Sequence, residues 1–425
     1  MTFTKTQFPS GLRLLGIPLK GAKTVTVLIV VKTGSAYETK ELNGISHVLE
    51  HMMFKGTKQR PTTLKIAEEL DTIGGEYNAF TSKEWTGYYA KADASHRVKI
   101  LDIISDIFLN SQFREEELNR EKLVILEEMN MYQDTPVKYI DDVTEELLYG
   151  DQPQGWKVIG ERATVQKLTS ARLRDYFNKY YTAPNTLVVV AGSYNQKDLA
   201  REVRHYLGKQ SRQLGRSKKT AVVERQTGAA VSFNSKKTDQ THLKFAWRAY
   251  PAGHRDLPAL KILNIILGSN MSSRLFINIR ERHGLGYYIN SEVEAYSDCG
   301  YLAVKAGVDN DRTLQAIELI LKELRQIKEA GVTAAEINKA KEYYRGKLAL
   351  SLETSSDWAF WSAEQEILRG EVKTPEQLEQ EVSAVSAKDL ARVAGGVITN
   401  SNLNLAIIGP CPKSMEPKIK RLLRG

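Results

Sequence analysis

The sequence predicts an α+β protein of two structurally similar domains, each a mixed β-sheet with helices packed on one face. Three observations lead there. At 425 residues the chain exceeds one ordinary core, so two domains of about 200 residues each are expected. A helix–turn–strand unit also recurs, because Leu173, Thr182, Asn185 and Gly192 are matched by Leu390, Thr399, Asn402 and Gly409, each 217 residues further on. In both copies a polar start (Thr169-Ser170, Ser386) precedes an amphipathic segment, a turn and an apolar strand, 187–191 or 403–408, closed by Gly. Lastly, strands and helices succeed one another irregularly, which fits mixed sheets better than a regular βαβ winding.

In chain order, residues 24–31, which contain the apolar run 27–31, read as a strand, followed by helices near 41–53 and 63–73. A strand pair comes next at 77–79 and 85–91, then helices starting at His96, Glu115, Pro136 and Ser170. Residues 208–219, rich in Lys, Arg, Ser and Gln without an apolar period, mark a linker. The expected boundaries are therefore 1–207 for the first domain, 208–222 for the linker and 223–425 for the second domain. The second domain opens with strands around Val231 and 242–247, then helices from about Asp256 and Ser272. Strands near 291–294 and 302–308 and a mainly helical stretch, 311–393, complete it.

Composition narrows the function classes. With 42% hydrophobic and 26% charged residues the chain has the profile of a soluble globular protein. No window approaches the roughly 18 unbroken apolar residues of a membrane helix, and the first eight residues lack both a secretory h-region and an Arg-rich transit pattern. No membrane association is expected. Only Cys299 and Cys411 occur, too few for a disulfide framework or a Cys-rich metal site, so a cytoplasmic, reducing location is expected. The net charge of +9 is spread along the chain, with basic patches at 209–219 and 418–424. Neither stands beside a recognisable nucleic-acid module, so they read as a solvated linker and a solvated terminus, and no nucleic-acid partner is expected.

The informative stretch is Asn43-Gly-Ile-Ser-His-Val-Leu-Glu-His-Met-Met-Phe-Lys-Gly56. Leu42, Ile45, Val48, Leu49, Met52 and Met53 recur at three- and four-residue steps, the period of an amphipathic helix. Asn43 is placed to cap its start, and Gly56 to succeed its end. His47 and His51 then share a face, about 5–6 Å apart at Cβ, close enough for two imidazoles to reach one ion. Glu50 stands beside them, able to address a water on the metal without ligating it. This His-x-x-Glu-His order is the inverted form of the zincin motif. A catalytic zinc takes three protein ligands and keeps a position for water, so a third ligand must come from elsewhere. Residues 115–132 offer the best source, where Glu121 and Glu128 lie two helical turns apart on one face, beside a packing stripe of Leu118, Ile125 and Met129. Glu127 competes for the role from about 100° round the helix.

From Gly44 to Thr57 the sequence resembles, almost residue for residue, the signature of the pitrilysin/insulinase family of zinc peptidases, in particular its short branch containing the mitochondrial processing peptidase and bacterial relatives. The resemblance implies a third ligand some 75–77 residues past the second His, in a segment like Val124-Ile-Leu-Glu-Glu-Met129; Glu128 stands 77 residues beyond His51. Glu121 matches a second acidic residue kept near the metal, where it would tune the site. Gly74-Gly-Glu-Tyr-Asn-Ala-Phe-Thr-Ser82 and Trp85-Thr-Gly-Tyr-Tyr-Ala90 resemble the family's active-site edge strand, to which a peptide substrate adds by β-augmentation, with Asn78 as a backbone contact. Arg280 and Tyr287, within segments resembling the family's Arg/Tyr substrate pair, would hold substrate carbonyls. The likeness spans nearly the whole chain, with small departures at Ala36 and His283.

The resemblance further implies a zinc-dependent endopeptidase that hydrolyses unfolded peptides or presequence-like segments inside a closed chamber, each chain being one half of a clamshell. Asn264, Ile265, Ile266 and Leu267 stand near the repeat offset from the histidine motif, so one Zn2+ per chain is expected. Zinc motif and Arg/Tyr motif on one chain favour a homodimer, the alternative being a heterodimer with an inactive sister. Against a non-catalytic peptide-binding scaffold stands the presence of all four of His47, Glu50, His51 and Glu128.

Overall fold

In the computed structural model, which describes residues 3–208, 218–410 and 412–423, the strand expected at 24–31 lies inside a six-stranded sheet. Its strands are β1 (Thr4–Gln7), β2 (Arg13–Pro18), β3 (Thr24–Val31), β4 (Glu76–Thr81), β5 (Thr86–Asp93) and β6 (Thr186–Gly192), in the order β1-β2-β6-β3-β5-β4. Only β2 and β6 run parallel; the other neighbours are antiparallel. Strands β1 and β2 carry no clear sequence signal, since β1 is short and polar and β2 is interrupted by Gly16 and Pro18. One face of the sheet is covered by α1 (Ile45–Met53), α2 (Thr63–Asp71), α3 (Arg97–Asn110) and α4 (Glu115–Gln133). The next helix, α5 (Pro136–Tyr149), belongs to the other compact unit. The chain then returns to the first layer with α6 (Arg162–Gln166), α7 (Ser170–Tyr180) and α8 (Gln196–Leu207).

That second unit holds β7 (Ala230–Ser235), β8 (Thr241–Arg248), β9 (Gly286–Ala295), β10 (Gly300–Val308) and β11 (Leu403–Gly409) in the order β7-β11-β8-β10-β9. Without β1, the first sheet has the same connectivity strand for strand, including one parallel pair in the same place. One face is covered by α9 (Leu257–Leu267), α10 (Thr313–Glu329), α11 (Ala334–Leu350), α13 (Pro375–Ser383), α14 (Ala387–Val397) and α15 (Glu416–Leu422). The 217-residue offset extends to element boundaries: α7 maps onto α14 and β6 onto β11. The helix expected from Ser272 is a π-helical segment, Phe276–Arg282.

The two mixed sheets and their helical layers are as expected, but each sheet also carries one helix on its other face. The division of the chain is corrected: the compact units are discontinuous in sequence rather than split at 207 and 223. The unit holding the first sheet comprises Met1–Asn130, Trp156–Thr220 and Ser351–Val372, and Met131–Gly155 joins the other. The physical reason is visible in β3 and β6, which are apolar on both sides. Leu15, Ile17, Leu28, Val30, Leu187 and Val189 point away from the main helical layer and are covered by Trp358, Ala359, Ala363 and Ile367 of α12 (Ser355–Arg369). On the second sheet α5 does the same, packing Ile140 and Val143 on Ala406 and Ile408, and Leu148 and Tyr149 on Ala246 and Ala303. A strand buried on both faces reads as an unbroken apolar run, which is what residues 27–31 of β3 show.

Of the expected linker, residues 209–217 lie outside the described residues, as does Cys411. Lys219 is not solvated as expected: its ammonium pairs with the buried carboxylate of Glu84. In the other basic patch Lys418, Lys420 and Arg421 are exposed on α15, and Arg424 lies outside the described residues. Among the described residues no helix is long and apolar enough to cross a membrane.

Seating α12 on the first sheet depends on Glu366, whose Oε1 lies 2.9 Å from Arg13 Nη1 and 2.8 Å from Lys5 Nζ. Arg13 and Glu366 are buried, whereas the Lys5 side chain is 50% exposed. Glu366→Ala removes the buried carboxylate that Arg13 and Lys5 share and should cost about 3–5 kcal/mol in urea unfolding, while Lys5→Ala should cost less than about 1 kcal/mol.

Candidate metal centre

Ile45, Val48, Leu49, Met52 and Met53 bury one side of α1 in the core, and this fixes its rotation so that His47, Glu50 and His51 emerge on another side, half-covered. The helix start is not capped by Asn43. Its N-cap is Gly44, at φ 95°, where a Cβ would lie 2.8 Å from the Ile159 carbonyl oxygen. The free N–H groups are met by Glu38, a residue for which the sequence holds no periodic signal. Glu38 Oε2 accepts from the Gly44 N–H (2.7 Å) and Asn43 Nδ2 (3.0 Å), and Oε1 from the Ser46 N–H (2.9 Å). Burial raises the Glu38 pKa against the lowering effect of these bonds. A carboxylate at a helix N-terminus also faces the positive end of the macrodipole.

Helix α4 supplies the acidic groups. Leu118, Ile125 and Met129 are buried along the expected stripe, Glu128 turns towards the histidines, and the competitor Glu127 is exposed, accepting a hydrogen bond from Asn130. Glu128 Oε2 lies 3.7 Å from His47 Nε2 and 3.6 Å from His51 Nε2. The three candidate ligand atoms all lie within 4.8 Å of one another. Among the described residues no other His, Cys, Asp or Glu trio converges in this way. Tetrahedral zinc with bonds of about 2.0–2.1 Å sets its ligands about 3.3–3.4 Å apart, so two imidazole nitrogens and a carboxylate oxygen at this spacing fit the ion. His51 Nδ1 stands 3.0 Å from Glu121 Oε2, and Glu121 Oε1 pairs with the Lys55 ammonium. An N–H at Nδ1 held in this way leaves Nε2 free as a ligand.

The electrostatics reflect this crowding. Burial, and then the neighbouring His51, depress His47 to about 4. Burial also disfavours charge on His51, but hydrogen bonds to Glu121 and Glu128 outweigh it and lift that group to about 9. Burial raises the Glu50 carboxyl, while a hydrogen bond from Thr81 opposes the rise.

The edge strand β4 runs beside α1. Its partner β5 occupies one side, and among the described residues no strand pairs with the other. The Ser82 N–H bonds to the Trp85 carbonyl at the hairpin end, so alternation turns the main-chain groups of Tyr77, Ala79 and Thr81 towards the open edge. Asn78 is exposed on β4, and its Oδ1 accepts the Ala79 N–H at 2.9 Å. In the second unit the Arg280 guanidinium lies 4.9 Å from the Phe276 ring centroid and 5.9 Å from that of Tyr287, which is 75% exposed at the start of β9. Ala36 is buried.

Comparison with known proteins finds relatives over nearly the whole chain. The family profile described as Insulinase (Peptidase family M16) matches residues 17–161, and the profile described as Peptidase M16 inactive domain matches residues 167–344. A Bacillus subtilis protein described as the uncharacterized zinc protease YmxG is 35% identical over 388 residues, 91% of this chain and 93% of that protein. An uncharacterized zinc protease of Streptomyces coelicolor is 32% identical over 96% of this chain and 90% of its own length. The crystal structure of a protease from Helicobacter pylori shares the fold with a TM-score of 0.89 at 23% identity, covering 96% of this chain and 99% of that one. The chain belongs to the insulinase family of peptidases, family M16, whose relatives here carry the name zinc protease.

Because Glu121 orients His51, Glu121→Gln should weaken zinc binding about 10- to 100-fold in competition with a chromogenic chelator, with little change in circular dichroism.

Proposed function

We propose that the chain is a zinc-dependent endopeptidase acting on unfolded peptides, with His47, His51 and Glu128 as metal ligands and Glu50 as general base. One observation carries this reading: three convergent ligand atoms and a half-buried carboxylate sit beside a sheet edge with which no described strand pairs. Zinc bound there would supply Lewis-acid polarisation of a carbonyl and a lowered pKa for water. The convergence of a single trio among the described residues supports one ion per chain.

The chain's own residues do the rest. Strand β4 offers main-chain donors and acceptors to an extended peptide, a mode that demands little of the peptide's sequence. Asn78 covers the Ala79 N–H in the absence of a peptide and is displaced or recruited when a strand adds. Glu50 takes a proton from water at its carboxylate and returns it to the leaving amine. Glu121 keeps His51 in the ligating tautomer. Arg280 and Tyr287 bind substrate carbonyls or the charge developing on them; their contact already places an aromatic ring against the guanidinium.

Both motifs on one chain support a homodimer enclosing a chamber that admits unfolded or presequence-like segments and excludes folded proteins. A heterodimer with an inactive sister is the second reading.

The test is cleavage of an unfolded peptide library read by mass spectrometry. Wild type should cut, and Glu50→Gln should lose about 10²- to 10⁴-fold in rate with metal still bound. Metal-loaded homodimer that cuts nothing would overturn the homodimeric reading in favour of a subunit needing a sister.

A further inference from the structure

Thr81 closes strand β4, and its hydroxyl donates to Glu50 Oε2 at 2.6 Å. Among the described residues it is the one hydrogen-bond donor that meets this carboxylate. Strand alternation produces this geometry: Tyr77, Ala79 and Thr81 share the face turned to α1, and the Tyr77 ring stacks on Phe54 at 6.3 Å between centroids. Phe80, on the other face, packs against Trp85 and Phe360.

The position of Thr81 is over-determined. It pairs with Thr86 across the hairpin. The turn beyond it is tied by the Ser82 N–H and Ser82 Oγ, both bonding the Trp85 carbonyl at 2.9 Å. Lys83 Nζ bonds the Trp156 carbonyl at 2.6 Å, and Glu84 is buried against Lys219. A β-branched side chain adds a stiff χ1. The hydroxyl is thus presented from a fixed backbone to a carboxylate on a different element.

We propose that Thr81 is a positioning residue that couples peptide register on the open edge to the orientation of the general base. The main-chain groups of Thr81 face the edge where a substrate strand adds, while its side chain holds one oxygen of Glu50 and leaves the other for water. One residue therefore sets both the peptide's register and the direction of proton transfer. This inference rests on the peptidase reading above, and nothing in a β-strand of ordinary propensity would require a hydroxyl here, since Val fills the same volume.

The experiment compares Thr81→Val, which removes only the hydroxyl, with Thr81→Ser, which keeps it, on an internally quenched peptide built around a bond that the wild type cleaves in the library. Thr81→Val should lower kcat about 10- to 100-fold, with KM changed by less than about twofold and zinc content unchanged by atomic emission. Thr81→Ser should recover activity to within about threefold of wild type. In the Glu50→Gln background, adding Thr81→Val should leave the residual rate unchanged, because the two act as a unit. A raised KM at constant kcat, equal losses in Val and Ser, or a fully active Val variant would each overturn the proposal. Crystal structures of the zinc-loaded variants give a readout independent of turnover. The Glu50 carboxylate should lose its single orientation in Thr81→Val and keep it in Thr81→Ser; one unchanged orientation in both sinks the inference. If the wild type cleaves no peptide, the peptidase reading fails, and these structures alone decide whether Thr81 orients Glu50.

Discussion

The carboxylate of Glu38 at the start of α1 is the contact on which the centre depends. A nine-residue helix is too short to be stable alone, and its first N–H groups face the interior, where an unmet donor costs about 1–3 kcal/mol. Glu38 meets two of them and ties down Asn43. Gly44 lets the chain approach 159–160 closely enough for the helix to begin at Ile45. With axial position set by the cap and rotation set by the buried Ile45, Val48, Leu49, Met52 and Met53, the two imidazoles and Glu50 have little freedom left. Helix α4 then needs only to present one carboxylate from its buried stripe, and β4 one hydroxyl from its inner face.

Much of this is legible in the sequence, because it is periodic. The histidine spacing, the apolar steps of α1 and the seven-residue interval between Glu121 and Glu128 are consequences of helix geometry, and the structure brings those residues together. The choice between Glu127 and Glu128 is not open to spacing alone; the burial of Leu118, Ile125 and Met129 decides it by turning Glu127 outwards. The repeat likewise carries the matching connectivity, down to the boundaries of α7 and α14.

The residues that escape a sequence reading have no local signature. Glu38 acts six and eight residues along the chain through an irregular segment, so no period points to it. Thr81 lies inside a recognisable strand, and alternation puts it on the face of Tyr77 and Ala79, but which face meets α1 is a tertiary fact. Asn43 looks like a cap because its residue type often is one; here its amide serves Glu38 and the Lys157 carbonyl instead. The sharing of α5 and α12 between sequence halves is hidden from any division into contiguous domains, although the apolar run of β3 already implies burial on both faces.

That sharing has a consequence for synthesis on the ribosome. The first sheet acquires its last strand at Gly192, yet the helix that covers its second face begins at Ser355. At about 5–20 residues per second, this leaves roughly 10–30 s in which Leu15, Ile17, Leu28, Val30, Leu187 and Val189 lack their native cover. Over that interval the nascent chain presents a broad apolar sheet face to the cell, a natural docking place for a chaperone and the stage at which aggregation would compete with folding.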